Sequence, residues 1–248
     1  MKMIYTEKYN MKDLLKKFLP SFIVNFLRKV RNRCFDVYAL KSYSQEGEDM
    51  ILRRIFEHQK TGFYVDVGAH HPKRFSNTYF FYKQGWRGIN IDAMPGSMKA
   101  FRKFRPRDIN LEIAIYSRKQ RLNYYIFNEP ALSGFSKELS ESRDGFNNQY
   151  YIVEIKELET FTLEEILDKY LPDGQNIDFM NIDVGGFEFD VLQSNNWQKY
   201  RPKVILVEIR ESDLEDLFKN EITIFLKNLG YKLFAKCFNT VFFMEVNK

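Results

Sequence analysis

Carboxylates gather at four places where a buried run of residues ends. Asp66 lies in FYVDVGAHHP (63–72), Asp92 in GINIDAMP (88–95), Asp183 ends FMNID (179–183), and Glu208 with Arg210 stands in VILVEIR (204–210). Gly68 follows the first carboxylate by two positions, and Gly185 and Gly186 follow the third. Acidity of this kind suits hydroxyls and cations and disfavours a bare phosphate. Asp92 comes 24 positions after Gly68. A carboxylate about 20 positions beyond a strand–glycine turn is placed to hold a ribose diol.

The glycine turn lacks the second and third glycines of the dinucleotide fingerprint, and His71-Pro72 would crowd a pyrophosphate at a helix N-terminus. The spacing therefore favours a nucleoside ligand without phosphates. A sulfonium cation would be favoured beside Asp66 and Asp183.

Such residues need strand ends to carry them. Strand patterns fall at 63–67, 88–92, 109–115, 177–182 and 203–209, and helix patterns near 76–84, 95–104, 162–170, 187–195 and 213–229. Thr162 and Glu165 form a capping box. A further helix is expected over 42–57, with Ser44 as N-cap. Alternating strands and helices imply a parallel sheet covered on both faces. The last segment, YKLFAKCFNTVFFMEV (231–246), has two strand-like runs and no helix between them, so the final strand is antiparallel. A second hairpin is expected at 109–127, around SRKQ. Residues 128–150 are polar and weakly periodic, and a loop this long is either disordered or functional, often as a lid.

Composition sets the outer bounds. The 248 residues, 44% hydrophobic with 24 Phe and 15 Tyr, suffice for one substantial domain with a large core. Cys34 and Cys237 are the only cysteines, too few for a disulfide framework or a cysteine-rich zinc site, and a reducing cytoplasmic location is expected. Residues 1–40 carry nine Lys or Arg against three Asp or Glu, while the remainder carries 29 against 30. The basic excess thus belongs to an N-terminal extension (1–40), and the main domain (41–248) gives no reason to expect nucleic acid. Within 11–33 two short helices should meet near Pro20, and Ile23, Phe26, Leu27 and Val30 share a face. Two readings stand: peripheral contact with an anionic membrane surface, or a helix packed on its own domain with a solvated basic face.

VDVGAHHP, SNTYFFYKQGWRGINIDAMP, FTLEEILDKY, DFMNIDVGGFEFDVL and PKVILVEI, in this order, resemble an FkbM-type methyltransferase of the class I group dependent on S-adenosylmethionine. The resemblance covers about residues 42–248. It implies a Rossmann-like three-layer α/β sandwich, with a seven-stranded, mostly parallel sheet ordered 3-2-1-4-5-7-6 and strand 7 antiparallel. It also implies roles. Asp66, Gly68 and Ala69 would shape the pocket for the methionine part of the cofactor. Asp92, with Ala93 after it, would bind the ribose hydroxyls, Ala114 and its neighbours would flank the adenine, and Asp183 would sit beside the transferable methyl group. His70 replaces the family's usual Asn, and Gly185 replaces the first Glu of its D-V-E-G-x-E motif, which puts full activity in question.

The expected reaction is O-methylation of a sugar hydroxyl in a glycan, glycolipid or nucleotide-sugar precursor. A poor nucleophile needs a general base. His71 and Asp183 are the first candidates, followed by Glu188 and His70. The alternatives are structural: His70 as a neutral ring hydrogen-bonding the turn, and Glu188 as a carboxylate at a helix N-terminus. No tight metal-ligand spacing is visible among His70, His71, Asp92 and Asp183, so no metal is expected. Competing functions are a nicotinamide-dependent oxidoreductase on a related fold, or a non-catalytic binding module.

Overall fold

The computed structural model describes residues 20–34, 39–145, 149–210 and 213–246. By its contacts the chain divides into two units, Met1–Lys41 and Ser42–Lys248. In the first unit, helix α1 (Ser21–Cys34) starts directly after Pro20, whose carbonyl accepts the N–H groups of Ile23 and Val24. Phe22, Phe26 and Val30, each four positions apart, are exposed. The helix expected before Pro20 lies outside the described residues. Among the described residues, no helix is long and apolar enough to cross a membrane.

The second unit opens on α2 (Glu48–Ile55). It starts later than expected, and Gly47, at φ 91°, stands at the N-cap instead of Ser44. The cause is Asp49, whose carboxylate takes the Ser42 hydroxyl at 2.6 Å and the Tyr43 N–H at 3.0 Å. These bonds hold the chain in a bend over 44–47. The Ser44 hydroxyl still accepts the Asp49 N–H at 2.9 Å.

The remaining elements in chain order are β1 (Phe63–Val67), α3 (Tyr79–Lys83), β2 (Arg87–Asp92), α4 (Met98–Phe104), β3 (Ile109–Glu112), β4 (Ala114–Ile115), β5 (Arg121–Phe127), α5 (Lys137–Arg143), β6 (Ile152–Phe161), α6 (Leu163–Tyr170), β7 (Phe179–Ile182), α7 (Glu188–Gln193), β8 (Val204–Glu208), α8 (Glu221–Asn228), β9 (Tyr231–Cys237) and β10 (Thr240–Glu245). Seven strands form one sheet in the order β3-β2-β1-β7-β8-β10-β9. Only β10 runs antiparallel to its neighbours, β8 and β9. This is the expected order, with its antiparallel last strand.

The strands read as continuous apolar runs because both faces are covered. Phe63, Val65 and Val67 point into a core shared with Ile182, Val207 and the helices α6, α7 and α8. Tyr64, one residue out of phase, points to the opposite face and packs with Phe179, Leu52 of α2, Phe81 of α3 and Trp86. This two-residue period fixes which strand-end side chains face the cavity and which face away.

Four expectations need correction. The run at 109–115 is two strands: β3 belongs to the main sheet, while β4 leaves it for a small sheet ordered β4-β6-β5. Residues 109–127 therefore form no hairpin, because β6 lies between β4 and β5. The helix expected over 213–229 is a 3-10 turn (Asp216–Phe218) followed by α8, which Asn220 caps through its side chain. The loop expected at 128–150 contains a 3-10 turn (Pro130–Leu132) and α5.

Candidate active site

The β1 turn is built from buried polar contacts. Asp66 is buried and accepts the Thr78 hydroxyl at 2.7 Å and the Asn181 amide at 2.9 Å. It ties β1 to the start of α3 and to β7. Burial pushes its carboxyl up, against the pull of Arg105. Gly68 has φ 82°, and a Cβ there would stand 1.6 Å from the Asp183 carbonyl oxygen. The turn thus needs glycine for its left-handed backbone and for its approach to the end of β7.

All four N–H groups of this turn are already engaged. Those of Gly68 and Ala69 donate to the Ile91 carbonyl at 2.9 and 3.0 Å, and that of His71 to the Ala69 carbonyl at 2.6 Å. That of His70 donates to Asp92 Oδ2 at 2.7 Å. The Met94 N–H donates to the other Asp92 oxygen at 2.8 Å. Burial raises the Asp92 pKa, and these two donors work against that rise. A carboxylate has lone-pair sites beyond these two donors, and one can take a ligand hydroxyl.

The two histidines separate. His70 sits at φ 51°, a backbone region that Asn tolerates best among residues with a side chain. Its main chain makes the turn bond that its ring was expected to make. The ring stacks on Phe75 with centroids 6.4 Å apart, and its buried Nε2 has no hydrogen-bond partner among the described residues. Burial, then Arg74, lowers its pKa. His71 Nδ1 accepts the N–H groups of Lys73 at 3.1 Å and Arg74 at 2.9 Å. The neutral ring therefore carries its proton on Nε2. Burial, Arg74 and Lys73 lower its pKa.

At the ends of β7 and β8 a carboxylate group assembles. One ligand oxygen each from Asp183, Glu188 and Glu208 lies within 4.8 Å of the others. Glu188 is buried and caps the turn before α7, accepting Val184 N–H at 3.0 Å and Gly186 N–H at 3.0 and 3.1 Å. Glu208 accepts Arg210 Nε and Nη2, both at 2.7 Å. Asp183 is open to the cavity yet set deep among protein atoms. That enclosure, then the charges of Glu208 and Glu188, hold its carboxyl well above the usual range. Glu208 was visible only as a strand-end acid. Its pairing with Asp183 comes from the neighbouring β7 and β8, which run in parallel register.

A cavity of about 470 Å³ lies over these strand ends, within the range of small-molecule sites, roughly 300–1,000 Å³. Asp66, Gly68, Ala69, His70, His71, Asp92, Ala93 and Asp183 all line it. Glu188 does not line it, because its carboxylate is turned into the α7 cap. Nor does Ala114, which packs with Tyr124, Ile126 and Phe135; its neighbours Ile113 and Ile115 line the cavity instead. Pro130, Ala131, Ser133, Phe135 and Arg143 complete the wall from the segment expected to act as a lid.

The donor set fits S-adenosylmethionine. Asp92 offers lone pairs to a diol, Ile91, Ile113 and Ile115 offer an apolar wall for a base, and Asp183 offers a carboxyl near a cation. The engaged N–H groups leave no cradle for a pyrophosphate.

The FkbM methyltransferase domain model matches residues 66–233. No curated protein matches the chain. Among solved structures, a TehB-like SAM-dependent methyltransferase from Corynebacterium glutamicum is 9% identical with a TM-score of 0.42, covering 92% of this chain and 100% of that one. Precorrin-6y C5,15-methyltransferase from Geobacter metallireducens is 13% identical with a TM-score of 0.41, covering 84% and 92%. A methyltransferase from Geobacter sulfurreducens is 11% identical with a TM-score of 0.41, covering 99% and 100%. The family model spans well over half of the residues, and the chain belongs to the FkbM methyltransferase domain family, whose cofactor is S-adenosylmethionine.

Proposed function

We propose that this methyltransferase acts on a hydroxyl oxygen of a sugar, in a glycan, glycolipid or nucleotide-sugar precursor. The observation that carries the reading is the Asp183–Glu208 pair at adjacent strand ends of the cavity. When bound, S-adenosylmethionine supplies an activated methyl group on a sulfonium. A sugar hydroxyl attacks poorly while it keeps its proton, so a carboxylate of raised proton affinity is a suitable base. Asp183 takes that proton in this reading. Glu208 raises its proton affinity, and Arg210 holds Glu208 in place. Asp92 orients the cofactor, and the 130–143 segment excludes water.

His71 is the weaker candidate for base, because its Nδ1 already accepts two N–H groups. It serves the reading as the cap of the turn. The nicotinamide alternative is disfavoured by the engaged N–H groups of 68–71. A binding module without transfer would bind S-adenosylmethionine weakly or not at all and give no product with any acceptor. The test is methyl transfer from labelled S-adenosylmethionine to a panel of nucleotide sugars and glycosides, read by mass spectrometry. A labelled sugar oxygen supports the reading. Label on a nitrogen, or none anywhere, rejects it.

The membrane reading of 11–33, at the cytoplasmic face, is supported by the exposed Phe22, Phe26 and Val30 of α1 and by the basic charge of residues 1–40. Flotation with anionic liposomes should lose the chain when Phe22→Glu and Phe26→Glu are combined. Equal flotation of both forms would remove the role of this helix.

A further inference from the structure

Three arginines line the cavity: Arg74, Arg143 and Arg210. Two have a carboxylate partner, Arg74 with Glu129 at 3.3 Å and Arg210 with Glu208 at 2.7 Å. Arg143, the last residue of α5, is half-buried and forms no ion pair among the described residues. Its hydrogen bond runs from Nη1 to the Leu132 carbonyl at 3.3 Å. A guanidinium carries five N–H donors, and one long contact leaves most of them unmatched. Partial burial of an unmatched charge is unfavourable, and an oxygen-rich ligand group relieves it.

Glu208 and Asp183 act on Arg143 through their charges, yet neither forms an ion pair with it among the described residues, and Glu208 is held by Arg210. The charge of Arg210 also bears on Arg143 and, after burial, is the main influence lowering its pKa. A ligand group in the cavity can reach it, since Arg143, Ser133, Asp183 and Gly185 line the same space.

We propose that Arg143 binds an anionic oxygen group of the acceptor, a carboxylate or a phosphate, in the gap between α5 and the turn at Gly185. The planar fork of arginine matches either group through two parallel hydrogen bonds. The acceptor is then an acidic sugar or a sugar phosphate, whose fixed charge aligns a neighbouring hydroxyl with Asp183. This inference rests on the methyltransferase reading, since it assigns that end of the cavity to the acceptor.

The test titrates the full-length chain, loaded with S-adenosylhomocysteine, with inorganic phosphate and separately with acetate. The wild type is compared with Arg143→Gln and Arg143→Lys. Saturable binding of at least one anion is expected, weakened tenfold or more in Arg143→Gln and several-fold in Arg143→Lys, which keeps the charge but loses the fork. Binding of phosphate alone, or of acetate alone, supports the proposal and names the source of the anion. S-adenosylhomocysteine affinity should stay within twofold in both variants. Its failure to bind the wild type would count against the cofactor reading, and the anion titrations of the unloaded chain would still decide the role of Arg143. If neither anion binds the wild type, or both variants bind as tightly as the wild type, the proposal is overturned.

Discussion

Gly68 and Asp183 meet so closely that a Cβ on the first would lie 1.6 Å from the carbonyl oxygen of the second. The β1 turn and the β7 turn are therefore one unit, and the Asp66 side of the cavity is joined to the side that holds the carboxyl pair. Gly185, at φ 72°, shares the left-handed backbone, but a Cβ there would make only an ordinary contact, with the Ser133 carbonyl oxygen at 3.9 Å. The two glycines should behave differently. Gly185→Ala should cost about 1–2 kcal/mol through its backbone alone. Gly68→Ala should cost more and abolish S-adenosylhomocysteine binding. Thermal unfolding and calorimetry on both variants check this, and equal effects would contradict it.

Asp92 should carry much of the cofactor affinity. Asp92→Asn places an amide where either the His70 or the Met94 N–H now finds an oxygen, and it removes the charge that draws the diol. Binding of S-adenosylhomocysteine should weaken at least tenfold, about 1.4 kcal/mol. An unchanged affinity would place the diol elsewhere.

Asp183 and His71 should separate in kinetics. Asp183→Asn should lower kcat/KM roughly 100- to 10,000-fold, the usual contribution of a general base, while S-adenosylhomocysteine, which carries no sulfonium, still binds. His71→Ala exposes two N–H groups to water and should cost about 0.5–1.5 kcal/mol of stability. Its methyl transfer should persist. Loss of transfer in His71→Ala with full transfer in Asp183→Asn would exchange the two roles.

The raised pKa of Asp183 has a consequence for stability. The folded state holds this proton to higher pH than the unfolded state does. Between the two pKa values the folded chain binds more protons, so this carboxyl's contribution falls as pH rises. Asp183→Asn should remove that fall. Its melting temperature should gain on the wild type as pH rises from about 4 through the weakly acidic range. A gap that stays constant across this range would show that Asp183 titrates normally. As a base, the same carboxyl should make kcat/KM rise with pH through its raised pKa.

Much of the site was legible because β1, β2, β7 and β8 are buried on both faces. Their apolar runs mark where they end, and Asp66, Asp92, Asp183 and Glu208 stand at or next to those ends. What stayed hidden depended on contacts between distant segments. The N–H groups that occupy Glu188 and His71 are set by turn geometry, which residue types do not encode. β6 was missed because most of its side chains are exposed, so no core imposes an alternation on them. β4 was merged with β3 because a single residue separates them, and the departure from the main sheet depends on β6. Arg143 gave no signal at all. It lies in a polar stretch with no strand end to mark it, and only the folding of α5 against the cavity brings it to the site.

The most direct measurement uses S-adenosylmethionine with an isotope-labelled methyl group and a panel of sugar acceptors, with wild type and Asp183→Asn side by side. Label should appear on a sugar oxygen with the wild type, and at least 100-fold more slowly with Asp183→Asn. Equal rates in the two proteins, or label on an atom other than oxygen, would contradict this.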